Sequence, residues 1–237
     1  MKINTFQTDI LRDENDKGKI VTLLYFIIAS VVIMGEIFDS ATILYIFTPL
    51  IALAMMFLYW NTSRVRNPFF FGVFLFSLVT NLFFVPNTKE MLFFGMITLL
   101  AYRGLMIFHV IKLIKPKDFI PIGIGMVPFV FVFFYLFSIS TEMPQNSCAI
   151  IITQNILVSV LGGIALSDYV MNGYNNSWLV ICSILSVSNY FIVFIEKYYM
   201  LFSSQTLFRP LAMMLNTVIY YSFYRWVIYA ETTIEGT

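Results

Sequence analysis

Three polar side chains sit where the surrounding sequence offers them no water. Asn81 lies in Val79-Thr80-Asn81-Leu82-Phe83 and Asn189 in Val187-Ser188-Asn189-Tyr190-Phe191, two apolar runs with nearly the same local context. Arg103 falls a little past the middle of a third run. Hydrocarbon cannot solvate an amide, so each asparagine needs an internal partner or carries a large desolvation penalty. An arginine at such depth costs ~2.5–3.5 kcal/mol on insertion scales. The chemistry open to this set is hydrogen bonding and anion binding, with amides lining a polar pocket and a cation ready for a lipid phosphate. Proton transfer is not open to the asparagines, because an amide has no titratable proton. Each residue also has a plain structural reading. Amides and hydroxyls, Thr80 and Ser188 included, glue helices together or bond back to the preceding turn. An arginine can snorkel to the interface or stack on an aromatic ring.

Other polar residues near apolar runs carry less. Gln154 and Asn155 read as packing or cavity-lining groups, and Tyr220, Tyr221 and Tyr224 as residues that bond into a cavity or simply pack. Asp168 ends its run, where a carboxylate reaches water, and Glu36 and Asp39 read the same way at the opposite surface. The one histidine, His109, reads as a solvated or capping residue near the end of a span. With one histidine and two cysteines, Cys148 and Cys182, neither a histidine-based metal cluster nor a disulfide framework is expected, and no cofactor is implied. Gly-x-Ser-x-Gly elbows and phosphate-cradling glycine loops are missing too.

The elements that position these residues follow from composition. The 237 residues are 59% hydrophobic and 11% charged, with mean hydropathy +0.84. Soluble domains run at about 45–50% apolar and about 25% charged, so the chain reads as an all-α, polytopic transmembrane bundle. A net charge of +1 gives no basic field for nucleic acid. Residues 1–19 are polar and mixed in charge, unlike a secretory signal, and read as a cytoplasmic tail. A membrane domain is expected over 20–229 and a short tail over 230–237.

A spanning helix needs about 17–25 mostly apolar residues. Spans fall near 20–38, 41–60, 68–85, 91–111, 119–139, 148–167, 177–196 and 206–229, separated by charged or turn-rich segments. Lys2, Arg12, Lys17, Lys19, Arg64, Arg66, Lys112, Lys115 and Lys117 lie on one side; Lys89 and Lys197 lie on the other. That bias predicts cytoplasmic termini, and it brings Trp60, Trp178 and Trp226 to the cytoplasmic interface. Asn81 lies 13 residues past Pro68 and Asn189 lies 12 past Ser177, so spans 3 and 7 hold them at similar height in the outer half of the membrane. The match points to two parallel four-helix halves. Gly162-Gly163 is expected to let two helices approach closely.

Five short segments over residues 40–228 carry a family resemblance. They are Thr48-Pro49-Leu50, Phe76-Ser77-Leu78-Val79-Thr80-Asn81, Gly95-Met96 with Ala101-Tyr102-Arg103, Ser183 to Asn189, and Tyr220 to Tyr224. In order and span placement they resemble motifs of the YhhN family, the eight-span lysoplasmalogenases. That family has Lys-Pro-Leu, Phe-Ser-x-x-Gly-Asp, Gly-Leu then Ala-His, Ala-x-x-Phe-x-x-Ser-Asp and Tyr-x-x-Ala-Gln. The resemblance implies a bacterial inner-membrane protein acting on lysoplasmalogens. Family members cleave the vinyl ether to a fatty aldehyde and a glycerophospho-base, which needs a general acid and an activated water. The departures fall on that chemistry. Asn81 and Asn189 stand at the two family aspartates, Arg103 at its histidine, Thr48 at its lysine and Tyr224 at its glutamine. Asn keeps the shape of Asp without the proton, and loss of a general acid or base costs about 10²–10⁴-fold in rate.

Three functions are consistent with these residues. The favoured one is a protein that binds a lipid or lysophospholipid in an intramembrane cavity, with hydrolase chemistry lost or weakened. Asn81, Asn189, Arg103, Thr80, Ser188, Tyr220 and Tyr224 would line the cavity. The second is an active vinyl-ether hydrolase using another acid, with Asp168 the candidate. The third is a small transporter or channel in which Arg103 binds an anion, although no span is broken at mid-membrane in both halves.

Overall fold

The computed structural model describes residues 5–86, 88–114, 119–139, 145–171, 176–198 and 205–235. They form eight helices: α1 (Thr5–Ile37), α2 (Ala41–Thr62), α3 (Pro68–Phe84), α4 (Lys89–Ile114), α5 (Ile120–Ile139), α6 (Gln145–Met171), α7 (Trp178–Tyr198) and α8 (Gln205–Glu235). No strand occurs among the described residues. Helix is what the composition demands, since it satisfies every backbone group within one segment. Five helices are long and apolar enough to cross a membrane: Gly18–Ile37, Ala41–Thr62, Glu90–Ile114, Ala149–Met171 and Trp178–Glu196. Pro68–Phe84 and Ile120–Tyr135 are apolar but shorter. The chain is an integral, multi-pass membrane protein with an all-α fold.

Lys115, Lys117, Asp118, Pro144 and residues 172–175 lie outside the described residues, as do the side chains of 5–17, Lys89, Cys148 and Lys197. The expected boundaries hold within a few residues, with two extensions. The helix of the first span already begins at Thr5, inside the polar tail, and α8 runs on to Glu235. Local signals explain the other starts and stops. Asn67 Oδ1 accepts from the backbone N–H of Phe69 at 3.1 Å, and Pro68 fills the first position of α3. Asp39 turns the chain between α1 and α2 with φ 48°.

Sequential neighbours pack as hairpins, α1 on α2, α3 on α4, α5 on α6 and α7 on α8, with α2–α3 and α6–α7 seams between them. The two halves therefore share an order of pairing but not a way of joining. α1 closes on α8, whereas the other junction is α4 on α6. α5 stays outside, presenting Ile120, Ile124, Val127, Phe131 and Phe134 outward at helical spacing, an apolar stripe suited to lipid. α8 is the opposite case. It touches α7, α1, α2 and α4, and Ile219, Tyr220, Ser222, Phe223, Tyr224, Trp226 and Val227 are all buried. The opposite flank stays outward, with Leu207, Leu211, Met214 and Tyr229 exposed, so α8 is a core element along most but not all of its surface.

Contacts between α2 and α8, α3 and α4, and α7 and α8 bring one set of helix ends together. Tyr59 meets Glu231, Lys112 sits over Phe69 and Arg225 over Trp178. Arg64 and Arg66 are at the same end, in the α2–α3 turn. Trp60 is exposed there beneath the Arg66 guanidinium at 4.2 Å. Trp226 is not an interfacial residue: it is 2% exposed and stacks on Phe223 within the core. His109 also departs from expectation. It is fully buried, with Phe69 and Phe223 against its ring, rather than solvated.

The seam between α5 and α6 is set by glycine. A Cβ on Gly163 would meet the Ile122 carbonyl oxygen at 2.5 Å, and one on Gly125 would meet the Gly163 carbonyl oxygen at 3.0 Å. Backbone cannot move aside as a side chain can, so Gly163→Ala should force the two helices apart at about 1–3 kcal/mol. A Cβ on Gly104 would have nothing within 4 Å. Thermal unfolding in detergent should therefore show Gly163→Ala melting below the parent and Gly104→Ala at or above it. Equal melting of the two variants would remove the close-approach argument.

Candidate functional site

The first polar cluster joins α3 to α8. Ser77 and Asn81 are one turn apart on α3, so they share a face. Both reach the Tyr220 hydroxyl. Ser77 Oγ is hydrogen-bonded to it, and Asn81 Nδ2 donates to it at 3.3 Å. Asn216 lies one turn earlier on α8. The Tyr102 ring of α4 stands 6.2 Å from the Tyr220 ring. One turn along α8, the Tyr25 hydroxyl of α1 donates to the Thr217 carbonyl oxygen at 2.7 Å. This is a buried network in which hydroxyls and amides satisfy one another. No carboxylate takes part in these contacts.

The second cluster joins α4, α6 and α7. Arg103 follows Tyr102 in sequence, and a step of about 100° around the helix turns it away from Tyr220 and toward α6. Its Nη1 donates to Gln154 Oε1 at 2.9 Å, and Gln154 Nε2 in turn donates to the Met96 carbonyl oxygen at 3.2 Å. The guanidinium carbon lies 5.4 Å from the centre of the Tyr190 ring on α7. Asn189 precedes that tyrosine. Its Oδ1 is buried without a hydrogen-bond partner, and so is the Oδ1 of Asn155, next to Gln154. Two open amide acceptors thus lie on the helices that hold Arg103, whose own partners are a neutral amide and an aromatic face. Among the described residues no carboxylate reaches salt-bridge distance of Arg103.

Asn81 and Asn189 therefore serve different seams, with α4 between them carrying Tyr102 toward one and Arg103 toward the other. Thr80 is buried and bonds back to the Phe76 carbonyl oxygen at 2.8 Å. Ser188 is half-buried beside Asn189. Tyr224 is buried one turn beyond Tyr220. Thr48 is buried on α2 with its hydroxyl unpartnered. Asp168 lies 14 residues beyond Gln154 on α6, about 20 Å further along the helix axis. Two clefts open at the tryptophan-bearing end of the bundle, and neither is lined by Asn81, Asn189 or Arg103.

Sequence reasoning missed a third cluster, built on a buried carboxylate. Glu231 is 5% exposed. Its Oε1 accepts from the Tyr59 hydroxyl at 2.6 Å and its Oε2 from Ser63 Oγ at 2.7 Å. The same tyrosine hydroxyl accepts from the Asn67 backbone N–H at 2.8 Å, and Ser63 Oγ accepts from that of Arg66 at 3.2 Å. One carboxylate thereby ties α8 to the whole α2–α3 turn, in which Arg66 adopts φ 48°. A signal was present. Tyr220, Tyr224, Val227 and Glu231 are spaced four, three and four apart, so Glu231 continues a buried stripe past the end of the apolar run. A second buried carboxylate, Glu196 of α7, lies 3.6 Å from the Arg209 Nε of α8.

No family model, curated protein or solved structure matches this chain.

Two substitutions test the networks. Tyr220→Phe keeps the ring and strips the hydroxyl that Ser77 and Asn81 share, leaving buried groups unsatisfied at about 1–3 kcal/mol. A clear drop in melting temperature in detergent is expected, and pairing it with Ser77→Ala should recover part of the loss. Glu231→Ala should loosen the α2–α3 turn, which protease susceptibility around Arg64 and Arg66 would report. A turn as resistant as the parent's would refute the tie.

Proposed function

We propose that this protein binds the head group of a membrane lipid or lysophospholipid inside its helical bundle, without cleaving it. The observation that carries the reading is Arg103, a cation within an apolar helix whose partners are neutral. A charge in a medium of low dielectric is strongly stabilised by a counter-ion. A lipid phosphate is the anion at hand in a membrane, and guanidinium geometry suits it. The open amide oxygens of Asn155 and Asn189 suit donors on the same head group, such as a glycerol hydroxyl or an ethanolamine ammonium.

The scaffold we propose is of the lysoplasmalogenase type, on the strength of the segments described above. Vinyl-ether cleavage there needs a carboxyl acid, and Asn81 instead donates its amide to Tyr220. The carboxylates elsewhere are placed for other work: Glu231 holds a turn, Glu196 faces Arg209 and Asp168 is remote. In this reading all eight helices cross a bacterial inner membrane, and the end bearing Arg64, Arg66 and Lys112 is cytoplasmic.

The test uses purified protein in lipid nanodiscs with lysophosphatidylethanolamine and a lysoplasmalogen. Both should bind, and Arg103→Gln should weaken binding about tenfold through loss of a charge-assisted contact. No fatty aldehyde should be released. Binding that ignores Arg103 would sink the head-group assignment, and steady aldehyde release by the unmodified chain would sink the non-hydrolytic one.

A further inference from the structure

The larger of these two clefts, about 370 Å³, opens between the start of α7 and the last turns of α8. Its lining combines Arg225, Trp178, Asn176, Ser177 and Tyr229 with the apolar Ile228. Arg225 is exposed and lies over the Trp178 ring at 5.3 Å, which holds the guanidinium at the cleft and leaves its N–H groups free. Among the described residues no carboxylate pairs with it or lines the cleft. The nearest acid along α8, Glu231, is turned to the other flank of the helix. There it lines an adjoining cleft of about 220 Å³ with Ser63 and Arg64, Ile228 and Thr232 forming the wall between the two, and its carboxylate oxygens are taken by Tyr59 and Ser63.

The uncharged lining adds donors that need no carboxylate partner. Asn176 Oδ1 is taken by the Trp178 backbone N–H at 2.9 Å, which leaves the amide Nδ2 to donate. Ser177 and Tyr229 bring hydroxyls. The positive end of the α7 dipole adds to the same field. Arg64, Arg66 and Lys112 lie at this end of the bundle as well, so a potential attracting anions extends beyond the cleft. A cleft of this size, with a cation, several donors and an apolar wall, fits one phosphate group with a short organic neighbour.

We propose that this cleft is a phosphate-binding site for an anionic head group, distinct from the Arg103 cluster. A phosphatidylglycerol-type lipid at the membrane surface and a soluble phosphate share the chemistry that the cleft reads. The occupant's phosphate oxygens bond Arg225, Ser177 and Tyr229, and its glycerol portion rests on Ile228 and Trp178.

The experiment measures lipid retention by native mass spectrometry of the full chain, released from nanodiscs of phosphatidylglycerol and phosphatidylcholine. Inorganic phosphate is titrated separately against the detergent-solubilised protein by calorimetry. Arg225→Gln is the main variant, and Tyr229→Phe is a milder one whose folding is secure. Arg103→Gln reports the other site. Preferential retention of phosphatidylglycerol that falls about tenfold in Arg225→Gln, two- to threefold in Tyr229→Phe and little in Arg103→Gln supports the cleft with a lipid source. Calorimetric phosphate binding with the same pattern of losses supports it with a soluble source. Equal retention of the two lipids together with no phosphate binding overturns it, as does anion binding that survives Arg225→Gln.

Discussion

A polar atom inside a membrane has only other parts of the protein to bond, and the arrangement of this bundle follows from that constraint. Backbone groups meet it by helix formation. Side chains meet it at the seams. Tyr220 gathers Ser77 and Asn81, Gln154 bridges Arg103 to a backbone carbonyl, and Glu231 gathers Tyr59 and Ser63. Each hub joins helices far apart in sequence, so polar satisfaction and tertiary assembly are one event.

α8 shows how the constraint distributes roles. It is less apolar than α2, α4 and α7, and it carries Thr217, Tyr220, Ser222 and Glu231 on surfaces that face protein, not lipid. α5 carries none of these and can afford the rim. Between them, α4 divides its polar residues by direction, Tyr102 toward α8 and Arg103 toward α6. The buried residues without partners are the exceptions. His109 has neither ring nitrogen bonded, and Thr48, Ser222, Asn155 and Asn189 each keep one open oxygen. Asn155 and Asn189 are the two carried by the helices that bear Gln154 and Tyr190, the partners of Arg103.

Helix number and extent were legible in the sequence, because hydropathy and turn residues report how each segment partitions between water and lipid. Asn67-Pro68 marks a helix start by its own chemistry, and Gly162-Gly163 announces a close contact. The direction that a residue faces was not legible. Asn81 and Asn189 share sequence context and a similar distance from their helix starts yet lie on different helix pairs, because position along a helix says nothing about rotation around the bundle. Trp226 and His109 read from position as interfacial or wet, yet both are buried because each packs against Phe223 on the inward face of α8. Glu231 was lost to the same bias: a carboxylate beyond the apolar run was read as tail, although its spacing continued the buried stripe.

The reach of these hubs has a consequence for biogenesis. Asn81 and the tyrosine hydroxyl that it donates to are 139 residues apart, and Tyr59 and its carboxylate are 172 apart. At about 5–20 residues per second of synthesis, α3 waits on the order of ten seconds in the bilayer before its amide is met. During that interval the nascent protein holds α2, α3 and α4 with exposed polar groups and an unfilled centre. The insertion machinery, a chaperone or neighbouring lipid must shield those groups until α8 emerges, and a ribosome stalled before that point leaves a fragment that quality control can recognise by its unmet amides.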